Sequence, residues 1–165
     1  MKIEGKGEEI LKVLEENARI SDKEIARMVG MKENEVKEII SELESAGVIR
    51  KYKAVVNHEK AGIDAVQALI ELKVSPERNT GYDSVAERIS KYPEVKSVRL
   101  VSGEYDLSIV VEGNTMKEVA YFVAEKIAPL EQVRNTVTHF LLKTYKENGE
   151  IYEEEEKGER LAVTL

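Results

Sequence analysis

The chain has 165 residues, 42% of them apolar and 35% charged, with a formal net charge of −7; this is enough apolar content to fold and enough length for one or two small domains. It contains no cysteine, which excludes a disulfide framework, a thiolate metal site and a cysteine nucleophile. No run approaches the roughly 18 apolar residues of a membrane span and no signal-peptide core opens the sequence, so a soluble, cytoplasmic protein is expected.

The acid is unevenly spread. Residues 1–60 carry a net −1 and residues 61–147 a net −2, while residues 148–165 carry −4. Much of the imbalance lies in "GEIYEEEEKGE", which reads as a solvated acidic tail over 148–165. With a body so close to neutral, global charge neither favours nor forbids nucleic acid as a partner.

Three helical patterns fill the first 47 residues. Over residues 8–17, Ile10, Leu11, Val13 and Leu14 form an apolar stripe. "ISDKEIARMVG" then sets Ser21 and Glu24 at capping-box spacing, and Gly30 is a helix stop. In "MKENEVKEIISELES", Val36, Ile39, Ile40 and Leu43 recur at helical spacing, so this stretch is an amphipathic helix ended by Gly47. Two helices joined by a short glycine-containing turn, with a third behind, make a helix-turn-helix unit over 1–50. The same spacing fits a three-helix packing unit with no DNA role equally well.

The third helix poses an electrostatic problem. It holds five glutamates against two lysines, yet DNA is a dense line of negative phosphates. Turning its apolar stripe inward leaves Asn34, Lys37, Glu38, Ser41, Glu42 and Ser45 outward, with a sum of only −1. Glu33 and Lys37 stand at i,i+4 spacing, and Glu33 and Glu35 sit in the first turn, where the helix dipole favours acids. Part of the acidity is therefore ordinary helix stabilisation. Arg19, Lys23 and Arg27 around the second helix, and Arg50, Lys51 and Lys53 after the third, are candidate phosphate contacts. In a groove, Asn34 suits adenine, Lys37 guanine and Glu38 a cytosine amino group; Lys32 and Ser41 complete the candidate set. Taken singly, each reads equally well as a solvated surface group.

"VIRKYKAVVN" continues as an extended segment in a linker over 51–64, and the pattern then changes to βαββαβ over 65–147. "AVQALIELKV" alternates Val66, Ala68, Ile70, Leu72 and Val74 on one face, as a half-buried strand does. Tyr82, Val85, Ala86 and Ile89 mark a helix cut off by Pro93. "VKSVRLV" and "YDLSIVV" flank "SGE" as a hairpin-like pair. Met116, Val119, Ala120, Val123 and Ile127 give the second helix, and "VRNTVTHFLLKTY" supplies the last strand. Strand–helix–strand–strand–helix–strand is the ferredoxin-like order, so the chain is α+β overall.

"ARISDKEIARMVGMKENEVKEIISELESAGVIRKYKAVVNHEKAGI" resembles the winged-type helix-turn-helix and linker of the Lrp/AsnC, or feast/famine, regulators. "VRLVSGEYDLSIVVEG" resembles the central hairpin of that family's C-terminal effector-binding domain. The resemblance covers about residues 8–147. It implies a transcription regulator of double-stranded DNA that pairs through its C-terminal domain into homodimers, often assembled into octamers. It also implies an amino acid or related small molecule bound between dimers, which changes assembly or DNA affinity. By the resemblance, the loop Gly103, Glu104, Tyr105 and Asp106 contributes to the effector pocket, with Thr136 and Thr138 on the last strand nearby; Glu104 and Asp106 are acids suited to an ammonium group. Read from the residues alone, that loop is a hairpin turn with two exposed acids. The sequence departs from the family where members usually carry a serine in place of Lys32, and where they are usually rich in arginine and lysine across 37–42.

No phosphate-cradling glycine loop, HExxH or GxSxG is present, and the two histidines, His58 and His139, read as structural or surface groups. No cofactor, metal or enzyme activity is expected. Siroheme decarboxylase subunits resemble this family in fold, but nothing here marks their histidine- and arginine-rich site. A reading from another class is an effector-sensing partner that assembles with a sister regulator and does not itself bind DNA.

Overall fold

The computed structural model describes residues 5–152; the acidic run 153–156 of the expected tail lies outside the described residues. The chain divides into two compact units, Met1–Val55 and Val56–Leu165.

The first unit contains α1 (Lys6–Glu16), α2 (Asp22–Val29) and α3 (Glu33–Ser45). Ile10, Ile25, Ala26, Val29 and Val36 are buried together, with Val13, Leu14, Ile20, Met31, Ile39 and Ile40 packed against them. Each fully buried aliphatic side chain contributes about 1.5–3 kcal/mol. Helix α2 begins at the expected box: the Glu24 amide donates to Ser21 Oγ at 3.3 Å, and the Ser21 amide donates to Glu24 Oε2 at 3.1 Å. It ends at Gly30, whose φ of 68° is left-handed, a conformation costly to any residue with a Cβ. Past α3, the amides of Val48 and Ile49 both donate to the Leu43 carbonyl, at 2.9 and 3.1 Å, and fold the chain over the helix end. The segment that follows, 50–57, falls where the sequence predicts extended chain. It pairs with no strand, so no β-ribbon follows α3 among the described residues of this unit.

The second unit is built on β1 (Val66–Val74), β2 (Val95–Leu100), β3 (Leu107–Gly113) and β4 (Val133–Phe140), in the antiparallel order β2-β3-β1-β4. Helices α4 (Asp83–Ser90) and α5 (Met116–Phe122) connect them in the ferredoxin-like sequence, and α5 runs on through a π-helical turn, Val123–Ile127. The alternation read in β1 is physical: Ala68, Ile70, Leu72 and Val74 are buried with Leu107, Ile109 and Val111 of β3, and with Val85, Ile89, Val119 and Phe122 from the helices. The opposite face of the sheet carries Leu69, Glu71, Val110 and Val137, which are only half-buried.

The expected tail is partly structured. Lys146–Glu147 (β5) and Glu150–Ile151 (β6) pair as a hairpin around Asn148 and Gly149, both at positive φ. Asn-Gly is the preferred pair for a two-residue hairpin turn; the acid-rich composition of the tail masked this local signal. The Tyr152 amide extends the ladder to the Tyr145 carbonyl at 2.9 Å, and its hydroxyl donates to the Val56 carbonyl at 3.1 Å.

Candidate functional site

In the first unit the outward face of α3 is as expected from its stripe: Asn34, Lys37, Glu38, Ser41, Glu42 and Ser45 are all exposed, while Val36 and Leu43 are buried. Arg19, Lys23, Arg27, Lys32, Arg50, Lys51 and Lys53 are exposed as well. Lys32 stands at the N-cap of α3 and offers no side-chain acceptor. Half of a capping box survives without it, because the Lys32 amide donates to Glu35 Oε2 at 2.9 Å.

The glutamates of α3 do different work. Glu33 Oε1 receives the Lys37 ammonium at 2.9 Å, which lowers the Glu33 carboxyl and raises Lys37 from their ordinary values. Glu35 holds the N-cap amide. Glu44 Oε1 accepts the Tyr52 hydroxyl at 2.9 Å. Of these five, only the Glu38 and Glu42 carboxylates make no hydrogen bond or ion pair among the described residues. Sequence reading named the Glu33–Lys37 pair but missed Tyr52, since no periodicity links it to Glu44.

In the second unit the loop between β2 and β3 is fixed from beneath. Asp106 Oδ2 accepts the Val74 amide at 2.8 Å, and its Oδ1 accepts the Tyr82 hydroxyl at 3.3 Å. Lys73 Nζ donates to the Glu104 carbonyl at 2.7 Å and stands 3.5 Å from the Asp106 carboxylate. The Val74 amide, with Lys73 and Tyr82, holds the Asp106 carboxyl below the usual carboxylate range against the opposing effect of burial. Its charge is therefore used within the fold, whereas the exposed Glu104 carboxylate makes no hydrogen bond among the described residues. Gly103 is exposed and Tyr105 half-buried. Thr136 and Thr138, both half-buried, pair across β1 with Leu72 and Ile70. They share those residues' helix-covered face, and Thr136 lies at the end of β1 where the Asp106 amide bonds the Leu72 carbonyl. Lys73 and Tyr82 carried no sequence signal for this role.

His139 lies on the open face of the sheet, with Nε2 3.0 Å from Glu71 Oε2. Among the described residues no group of acids and histidines is placed to hold a metal ion, and no helix is long and apolar enough to cross a membrane.

Comparison with known proteins matches both units. The model of the Lrp/AsnC ligand binding domain covers residues 67–151, and that of the winged helix-turn-helix DNA-binding family covers residues 6–50. The HTH-type transcriptional regulator YugG of Bacillus subtilis is 46% identical over 165 residues, 99% of either chain. The HTH-type transcriptional regulator FL11 of Pyrococcus furiosus is 32% identical over 142 residues, covering 86% of this chain and 91% of its own. A Neisseria meningitidis transcriptional regulator, solved as its complex with L-methionine, superposes with a TM-score of 0.69 at 25% identity, covering 88% of this chain and 94% of that one. An N-terminal helix-turn-helix followed by a ligand-binding domain, matched over the whole length of a relative, makes this chain a transcriptional regulator of the Lrp/AsnC family.

Proposed function

We propose that this regulator reads double-stranded DNA with the outward face of α3, through Asn34, Lys37, Glu38 and Ser41. Arg19, Lys23, Arg27, Lys32, Arg50, Lys51 and Lys53 engage phosphates on either side. The observation that carries the reading is the division of labour along α3: three of its five glutamates are held by partners within the unit, while Asn34, Lys37, Glu38 and Ser41 stand exposed on its outward face. Phosphate contacts supply affinity and orientation while base contacts specify.

The effector is an amino acid or a related small metabolite. Glu104 holds its ammonium, with Gly103, Tyr105, Thr136 and Thr138 around it, while Asp106 keeps the loop in place. The Neisseria regulator's complex with L-methionine supports this class of ligand. The protein is a cytoplasmic homodimer, and by family likeness an octamer, without catalytic activity. The half-buried apolar side chains on the open face of the sheet support self-association through the second unit.

The Lys37–Glu33 ion pair favours one other reading, an effector-sensing partner that does not touch DNA, because it occupies the base nearest the groove. Fluorescence-anisotropy titration separates the two. Replacing Lys37, Arg50, Lys51 and Lys53 by alanine abolishes DNA binding if α3 and its flanks form the interface. The same variant assembling and binding effector as the wild type does, with no DNA affinity in either protein, supports the partner reading instead. Calorimetric titration with a panel of amino acids, methionine included, tests the effector; heats unchanged in Glu104→Gln contradict its role.

A further inference from the structure

The stretch after α3 carries three of the candidate phosphate-binding cations, Arg50, Lys51 and Lys53, on a segment in neither helix nor ladder. Such a segment lacks the repeating backbone bonds of a helix or ladder to place it, and loose cations add little to binding because fixing them costs conformational entropy. Two features hold this one. Backbone bonds from Val48 and Ile49 to Leu43 set its origin. Farther along, the Tyr52 hydroxyl donates to Glu44 Oε1 across eight residues. Tyr52 lies between Lys51 and Lys53, and Glu44 lies in the last turn of α3, so one hydrogen bond ties the basic segment to the end of the groove-facing helix. Burial, with the neighbouring Glu44 carboxylate, raises the phenol above its ordinary value, and a phenol is in any case the donor throughout the neutral range.

We infer that Tyr52 is a positioning residue for DNA binding: through Glu44 it fastens the Arg50, Lys51 and Lys53 segment beside α3. Glu44 then works as an anchor, which accounts for an acid near a surface that meets DNA. The inference rests on the DNA-reading role of α3 and deepens it.

The test is anisotropy binding of the full chain, over a range of salt, to fragments from upstream of its own gene and to an unrelated duplex. Tyr52→Phe keeps the ring and loses the bond. Its affinity is expected to fall about three- to tenfold, as for the net loss of one exposed hydrogen bond. Its salt slope should drop by about 0.9 for each phosphate that the protein no longer neutralises. Glu44→Gln keeps an acceptor for the phenol and removes the charge, so it should bind at least as tightly as wild type. Lys51→Gln should cost less in the Tyr52→Phe background than alone, because the two act on the same interaction with phosphate. A Tyr52→Phe protein that melts lower but keeps the wild-type slope, or a Lys51→Gln effect that is strictly additive, overturns the inference while leaving the DNA role standing. Wild-type protein that binds no duplex overturns both.

Discussion

At the residue scale, the two N-caps of the helix-turn-helix form a natural comparison. Ser21 and Glu24 complete a reciprocal box, while Lys32 and Glu35 complete half of one. Ser21→Ala is expected to cost about 0.5–2 kcal/mol, and Lys32→Ser to recover a similar amount by giving the Glu35 amide an acceptor; thermal unfolding of the two variants checks both signs. Lys32→Ser also removes a cation, so a more stable protein with weaker DNA affinity is the expected pairing. Asp106 has a different signature. Its native pKa is lowered, chiefly by the Val74 amide and then by Lys73. Its stabilisation is therefore present above the unfolded carboxyl value, about 3.9, and is lost as pH falls through the lower native value. Asp106→Asn should flatten the loss of stability that the wild type shows below about pH 4, visible in urea midpoints across that range; an unchanged acid limb would contradict the assigned hydrogen bonds. The capping box was legible because its partners are three residues apart. The environment of Asp106 was not, because its main donor is 32 residues away in sequence and is a backbone amide, which no residue type advertises.

At the element scale, the helices and strands were legible wherever a single period governs burial. Val36, Ile39, Ile40 and Leu43 turned inward as read, and so did the even-numbered residues of β1, since in both cases the hydrophobic face decides the outcome. The misread elements give no distinguishing period. The β5–β6 hairpin is four strand residues around Asn148 and Gly149, with no buried residue of its own, so its only sequence signal was the turn. The π-helical turn after α5 left no trace, because Val123 and Ile127 are buried with the same spacing a regular helix would give them. Within α3, the period correctly gave the facing and the Glu33–Lys37 spacing but no partner beyond the helix, which is why Tyr52 escaped notice. The core of the first unit is small, so it is sensitive to truncation: Ile25→Ala, at a fully buried position, should cost about 2–5 kcal/mol. Hydrogen exchange would register this as reduced amide protection across α1 to α3, and protection unchanged there would contradict the packing described.

At the scale of the whole molecule, the order of a DNA-reading unit and a ligand-binding unit was legible, since two matching patterns in sequence constrain each other more than either does alone. What an open sheet face binds was not, because half-buried side chains such as Leu69 and Val110 read like any strand interior. If that face joins protomers, Leu69→Glu with Val110→Glu should convert the assembly to a folded monomer by light scattering, whereas an unchanged mass would place the interface elsewhere. The central claim is that an acidic helix can read DNA because three of its glutamates are held in place within its own unit, while flanking bases meet the phosphates. The most direct test is anisotropy binding of the wild-type chain to fragments upstream of its own and neighbouring genes, at two salt concentrations, with and without a panel of amino acids. The account predicts binding to a preferred fragment that weakens steeply with salt, and poor affinity for unrelated duplex. Absence of binding to every fragment under all these conditions would contradict it.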